Sequence, residues 1–550
     1  MRKAVVLLAY LGALAFGTDR AFAPTLRSGF DRVQADRGDG VLNHYILEHS
    51  WRALTDPDYC GSLFSPPCFF PTRSTLWYSE HLLGVAPLYW ALRAVTDYIT
   101  AYQWWMIVLS GLNFVAFAAV VRWLRGPHAL AILGGYLWAF GLIHLDQIKH
   151  QQMIPRFAMV LAVYHAWQLV LALGSAAGNP TRHLNRLCAA VAFQAVTCVN
   201  TGWFLVSGLG TFLALAVVLR PGGVRDLVRF LVRDRWRAGL ILGGWTAAMV
   251  AAFVPYYVVN RGRERGYFEC IEHMPRPQAW LAPLPGTPWD WLLGRFRTGV
   301  IDEAWLFCGF GLDLLFVVST AAVVWRVAAR GRQREAAVVL AALLTAAVWV
   351  ALTLKFGEED SMWRYVRHVP GGGAVRAVSR VYVTVYLFGS LGAIVWLARA
   401  TERLRAGPRG VLLWLVTAAC VAEQLGYEQP SFERRDFYPI ADAAAVELRK
   451  GDIGYVNRPY TDTKGVRPGG NAEGAAQDSV LGMWAGLRAN VPVVNGYSGR
   501  VPNIEFLEVI MTTEEYRIKH LKQWLSGRFR GRVAVVYPDN LGGTLIIEVE

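Results

Sequence analysis

Charge is scarce in this chain of 550 residues: Asp, Glu, Lys and Arg make up 17% of it, against 54% hydrophobic residues. Water-soluble cores of that size need more polar surface to cover them, so a string of soluble domains is excluded. Internal repeats and low-complexity tracts are absent, which excludes a repeat array. The formal charge of +14 raises the question of nucleic acid. Its arginines, however, cluster in short segments between hydrophobic runs rather than along an aromatic-interleaved stripe, and a nucleic-acid partner is excluded on that ground. What remains, with 22 Trp and a positive mean hydropathy, is a polytopic membrane protein.

A bilayer is crossed by about 20 apolar residues in helical form. Stretches of that kind fall near 4–18, 101–121, 129–145, 153–174, 187–199, 202–219, 239–259, 304–325, 336–354, 379–398 and 410–425, so about eleven spans are expected. Asn200-Thr201-Gly202 interrupts the fifth and sixth and implies a tight hairpin or a re-entrant pair. Orientation follows from basic residues in short loops. Segments 1–3, 122–128, 174–186, 220–237, 326–334 and 399–409 carry 20 Lys and Arg against three acidic residues, and are assigned to the cytoplasm. The alternate loops, 19–100, 146–152, 260–303 and 355–376, are mixed or acid-leaning, with nine acidic against seven basic in the first. Those loops and the C-terminal tail then lie outside, which in a bacterium is the periplasm. Arg2-Lys3, a short apolar run and "AFA" at 21–23 imitate a secretory signal. Pro24 and the neighbouring Asp19-Arg20 favour a retained helix.

Loop 19–100 is too long for a connector and should be structured. Within it, Cys60 and Cys68 in "CGSLFSPPC" make a local disulfide plausible in an oxidising compartment. Cys188, Cys198 and Cys420 read as packing residues, and Cys270 and Cys308 could pair only if the fold brings them together. "TLWYSEHLLGVAPLYWALRAV" reads as an interfacial helix pair with Trp77, Tyr78, Tyr89 and Trp90 at headgroup level. Loop 260–303, rich in Pro and Trp, should lie over the outer face. The chain is expected to divide into a transmembrane bundle, 1–425, and a small α/β domain, 426–550. In the latter "ADAAAVELRK" and "TTEEYRIKHLKQWLSG" read as helices, "IGYVN", "RVAVVYP" and "GTLIIEVE" as strands, and "RPGG" at 467–470 as a loop.

"ADRGDGVLNHYILEHSW", residues 35–51, sets Asp36 and Asp39 three apart ahead of an amphipathic run. Its apolar positions form one broad helix face, with Asn43, His44, Glu48 and Arg52 on the other, which predicts a helix on the outer leaflet. On local chemistry alone Asp39 reads as a helix cap and Asp36 as a solvated turn residue, since caps are common and sites are rare.

"GDGVLNHYILEHSWRAL", "YSEHLLG", "PGGGAVRAVSRVYV" and "VVNGYSGRVP" together resemble a family of large bacterial multispanning proteins related to the GT-C class of glycosyltransferases. The resemblance implies a bundle of membrane helices in the bacterial cytoplasmic membrane with an active site at the outer surface. It also implies a carboxylate in the first exported loop and a polyprenyl-phosphate sugar as donor, with a glycan, lipid or protein as acceptor. Inverting transfer needs a base for the acceptor's proton. Asp39 is the candidate, with Asp36 as helper or metal ligand; whether a divalent metal takes part is left open.

Departing lipid phosphate needs fixed positive charge, and arginine offers a planar fork for it. Arg376 and Arg380, four apart and expected on one helix face, are the candidate clamp; headgroup anchoring by membrane lipids is the competing role. Glu80 and His81 could complete the site or form an interfacial ion pair. His144, Asp146 and His150 in "HLDQIKHQQ" could bind metal or sugar, although their spacing is not a zinc signature. Tyr497 in "NGYSG" could reach the site or support a turn. A flippase for lipid-linked precursors and a non-catalytic envelope assembly factor are the alternatives. The few ionisable residues in the spans, Arg156, His165, Asp313 and Glu423, speak against transport.

Overall fold

The computed structural model describes residues 2–175, 178–330, 333–457, 461–462, 465–466, 472–499, 514–538 and 544–550. The 467–470 loop and residues 500–502 of the last quoted motif lie outside them. Among the described residues, nine helices are long and apolar enough to cross a membrane: Lys3–Ala21, Tyr98–Trp123, His128–Lys149, Gln151–Ala172, Val199–Leu219, Arg235–Asn260, Phe310–Ala329, Arg334–Thr353 and Val378–Ala400. Ala406–Ala422 is a shorter apolar helix. The chain is thus a multi-pass helical membrane protein.

The expected fifth span is the Pro180–Thr197 helix, whose first turns carry Arg182, His183, Asn185 and Arg186 and dilute its apolar character. It meets the Val199–Leu219 helix at Cys198, the single extended residue (φ −152°, ψ 117°) between them. The tight hairpin therefore turns at Cys198, and Asn200-Thr201-Gly202 belong to the first turn of the following helix. Arg156, buried at the start of a span, donates to the carbonyls of Met153 (2.7 Å) and Trp138 (2.9 Å). A fixed guanidinium of this kind pins the 147–156 segment to the bundle.

The first loop departs from the expected interfacial picture. In the Asp39–Thr55 helix, residues 40 to 50 are all buried, Asn43, His44 and Glu48 among them. The polar side is buried because other parts of the chain cover it. Glu48 accepts from Tyr89 (2.6 Å) and pairs with Arg93 (3.0 Å), and His44 contacts the Tyr438 hydroxyl (2.8 Å). The helix is a core element and does not rest on a leaflet. Tyr89 and Trp77 are buried too, which corrects their placement at headgroup level. All seven cysteines are free thiols, with Cys68 buried and Cys60 exposed, so the Cys60–Cys68 bridge is not formed.

The C-terminal part closes over this loop. Arg32–Gln34 pairs antiparallel with Ser431–Glu433. A three-stranded sheet follows, with Gly531–Val536 central, parallel to Ile453–Val456 and antiparallel to Leu545–Val549. Tyr438–Leu448 and Ala472–Ala489 pack together beside it. Trp484 donates to the Val41 carbonyl (3.1 Å), and the Phe69 and Phe70 amides donate to Asn495 and Val493 (3.0 and 2.9 Å). The side chains of the first loop and of the tail share one apolar core.

Candidate functional site

Asp39 is the first residue of its helix, and Gly38 occupies the cap position. The capping expected of Asp39 is performed by Asp36, whose Oδ1 accepts from the amides of Gly38 (2.7 Å) and Gly40 (3.2 Å). Asp36 is therefore committed to the turn, and the Asp39 carboxylate is released to face other loops. Gly40 is required there, since a Cβ would stand 2.7 Å from Ala35 Cβ and 3.1 Å from Gln151 Nε2. That close approach brings the 147–153 turn against the helix start. Asn43 Nδ2 secures it through Gln152 Oε1 (2.8 Å) and Gln151 Oε1 (3.2 Å).

His150 lies between two 3-10 turns of that segment. Its Nδ1 is 2.8 Å from Asp39 Oδ2 and its Nε2 3.2 Å from Glu303 Oε1. With a carboxylate at each ring nitrogen, the imidazole is held as a cation. Burial works to lower its pKa, but the contacts with Asp39 and Glu303 outweigh it and raise the value to about 9. The preceding residue repeats the connection, with Lys149 Nζ 3.0 Å from Asp302. Two adjacent pairs, 149–302 and 150–303, thus clamp the loop that ends at 303.

Glu303 is also held well below the ordinary carboxyl range: burial opposes this, and His150, Arg380 and His273 prevail. His273 Nδ1 stands 3.7 Å from Glu303 Oε2. Burial, with Arg376 and Arg380 nearby, lowers the His273 pKa in spite of Glu303. Asp39 receives Tyr497 Oη on its other oxygen (2.9 Å). Burial would raise the Asp39 pKa, yet the His150 and Tyr497 hydrogen bonds and the charges of His150 and Arg380 bring it below its usual value. Its side chain remains 25% exposed, so a further group can reach it. Asp36 shifts the other way, raised by burial and by the Asp39 charge.

Arg376 and Arg380 do not share a regular helix face, as the spacing had implied. They lie in an extended stretch and a 3-10 turn ahead of the Tyr382–Ala400 helix. The Ser379 amide donates to the His273 carbonyl (2.9 Å), which ties this stretch to the 260–303 loop. Arg380 acts electrostatically on Asp39, His150, Glu303 and Glu80, and Arg376 on His273 and Tyr497. No side-chain hydrogen bond or ion pair engages either guanidinium among the described residues. Buried Arg380 Nε is unpartnered.

Of the other candidates, Glu80 caps the Val199–Leu219 helix, accepting from the amides of Val199 (2.6 Å) and Asn200 (3.1 Å). His81 packs between Trp77 and Tyr256, its Nδ1 accepting from the Leu83 amide (3.1 Å). Burial brings its pKa down to about 4. Glu80 and His81 form no ion pair with each other among the described residues. His144 is buried against Trp138 and Tyr382, and Asp146 pairs with Lys149 (3.4 Å) and accepts from Tyr427 (3.2 Å). Of that trio only His150 reaches the site. Among the described residues no three His, Cys, Asp or Glu side chains converge as ligands for one metal ion.

Glu303 and His273 were not singled out from the sequence. The available signal was positional: both lie in loop 260–303, on the side assigned to Asp39 by the basic-residue rule.

No family model matches the sequence, and no curated protein does either. Among solved structures the chain is similar to the Archaeoglobus fulgidus oligosaccharyltransferase, in a complex with Zn and sulfate, at 12% identity and a TM-score of 0.46. That match covers 95% of this chain and 68% of the other. It is also similar to ArnT from Cupriavidus metallidurans in the apo state, at 10% identity and a TM-score of 0.36, over 98% of this chain and 93% of that one.

Proposed function

We propose that the chain is a membrane glycosyltransferase of GT-C type that moves a sugar from a polyprenyl-phosphate donor to an acceptor hydroxyl or amide, with inversion. The reading is carried by one juxtaposition: an ionised, partly exposed Asp39 beside two uncommitted arginines at the same end of the bundle. In this scheme the acceptor's heteroatom bonds to the anomeric carbon as the bond from that carbon to the phosphate oxygen breaks. The electron pair leaves with the lipid phosphate, and Arg376 and Arg380 compensate its charge. The acceptor's proton passes to Asp39. A carboxylate of depressed pKa is a weak base, which suits a transition state of oxocarbenium character in which the proton moves late.

His150 and Glu303 orient Asp39 and keep it ionised, and Tyr497 holds the oxygen that the acceptor would engage. Glu80 and Asp36 serve as caps behind the site. The end of the bundle that carries the site is assigned to the periplasmic face of a bacterial cytoplasmic membrane, with 1–425 as the membrane part and 426–550 as a periplasmic domain. Transfer from a radiolabelled polyprenyl-phosphate sugar by the purified chain tests the reading. Product should form with the native sequence and vanish in Asp39→Asn at equal protein abundance. Donor that crosses the bilayer unconsumed would favour a flippase instead.

A further inference from the structure

The connection between the Val199–Leu219 and Arg235–Asn260 helices lies at the far end of the bundle from Asp39. The first of these helices begins beside Glu80 and runs 21 residues, about 31 Å at the helical rise. There the chain forms an additional short helix, Gly223–Arg233. At 100° per residue, Phe230, Leu227, Leu231, Val224, Val228 and Val232 cover one broad arc, and Arg225, Arg229 and Arg233 form a line beside it at i, i+4 and i+8. Only one margin of the arc is used internally: Phe230 is buried and Leu227 is half-buried against the bundle. Val224, Val228 and Val232 are 57%, 54% and 66% exposed.

Position is fixed by a buried pair, Arg220 with Asp226, in which Arg220 also donates to the carbonyls of Val170 and Leu173. The helix is therefore held in place while its outer apolar face and the Arg229 and Arg233 guanidinium groups stay unpartnered among the described residues. Arg229, Arg233 and Arg237 have no side-chain partner among the described residues, and Arg225 is 3.8 Å from Asp226. Residues 220–237 hold six Arg and two Asp, a net +4. The following helix opens with a concavity lined by Arg235, Trp236, Gly239 and Leu240. A Cβ at Gly239 or Gly243 would meet nothing within 4 Å, which leaves room for an acyl chain beside the guanidinium groups.

We propose that Gly223–Arg233 and the start of the next helix form a docking surface for anionic phospholipid of the leaflet opposite the Asp39 site. An exposed apolar arc flanked by a cationic row needs acyl chains on one side and negative headgroups on the other. An anionic lipid surface supplies both together. The valines enter the acyl boundary, and Arg225, Arg229 and Arg233 take the phosphodiester groups. The surface does not depend on whether the chain transfers a sugar.

Amide hydrogen exchange of the full chain in nanodiscs tests this. Exchange over 223–233 should slow by about tenfold or more when phosphatidylglycerol replaces part of the phosphatidylcholine. The triple variant R225Q/R229Q/R233Q should lose that difference. Unchanged exchange over 382–400 would show that this variant keeps its fold. If the variant fails to fold, the native chain's dependence on phosphatidylglycerol and on salt still decides, since the protection should fall at high ionic strength. Equal exchange in the two lipids would overturn the proposal. So would the same protection from millimolar inorganic phosphate in pure phosphatidylcholine, which points to a soluble anion, or protection appearing only with an added soluble protein.

Discussion

Each carboxylate oxygen of Asp39 carries a hydrogen bond in the resting site, from His150 and from Tyr497. Asp39→Asn retains the shape and removes the charge. Turnover is expected to fall about 100- to 10,000-fold with little change in donor affinity, measured by kcat and donor Kd. Arg380→Lys keeps the charge and loses the fork, so donor KM should rise more than kcat falls. The pH dependence follows from the same groups. His150 lies at about 9, above its ordinary 6.5, so its stabilisation is complete below pH 6.5 and is lost as pH rises through about 9. Asp39 and Glu303 lie below their ordinary values. Their contributions are present above the usual carboxyl range of about 4 and are lost as pH falls through the depressed values. Tm should therefore be highest between about pH 5 and 6.5 and decline toward 9. In Glu303→Gln the decline should begin at lower pH. A Tm that climbs from pH 7 to 9 would contradict the charged pairing of His150.

At the scale of elements, the two polar residues that look catalytic by type but act as caps can be separated from the site by their thermodynamics. Glu80→Gln weakens the two bonds it accepts at the start of the Val199–Leu219 helix. A loss of about 0.5–2 kcal/mol in unfolding free energy is expected. Turnover per folded molecule should stay within a few-fold of the native value. Gly40→Ala acts differently, because its Cβ must displace Ala35 or Gln151. A cost of about 1–3 kcal/mol is expected, accompanied by reduced turnover, since Gln151 adjoins His150. Helix periodicity located the Asp39–Thr55 helix correctly, yet could not say that its polar side is buried. Amphipathic patterning reports polarity, and Glu48 and His44 are polar residues whose partners, Arg93, Tyr89 and Tyr438, come from distant segments.

Across the whole molecule, the first loop and the C-terminal part form one interlocked cap. The Arg32–Gln34 strand finds its partner at Ser431–Glu433, and Trp484 and Asn495 join the tail to the first loop. Truncation after residue 425 removes that strand partner together with Tyr497. The first loop should then become susceptible to proteolysis between 56 and 80, with transfer activity lost, while the spans remain inserted. Limited digestion followed by mass mapping would check this, and an unchanged digestion pattern would show that the two parts are independent.

What the sequence determined by itself rests on solvent and local geometry. Apolar runs long enough for a bilayer, the arginine-rich alternate loops and the acidic first loop follow from composition and period, because transfer free energies act on each segment separately. It also put Asp39, His150, Arg380 and Tyr497 among the residues to watch, through motif and sidedness. Tertiary structure alone decided that Asp36 and Glu80 are caps, that His144 and Asp146 stay away, and that Glu303 and His273 belong with His150. Those outcomes depend on which oxygen meets which nitrogen across more than a hundred residues of chain, and hydrogen bonds and burial set that meeting only once the loops have packed together.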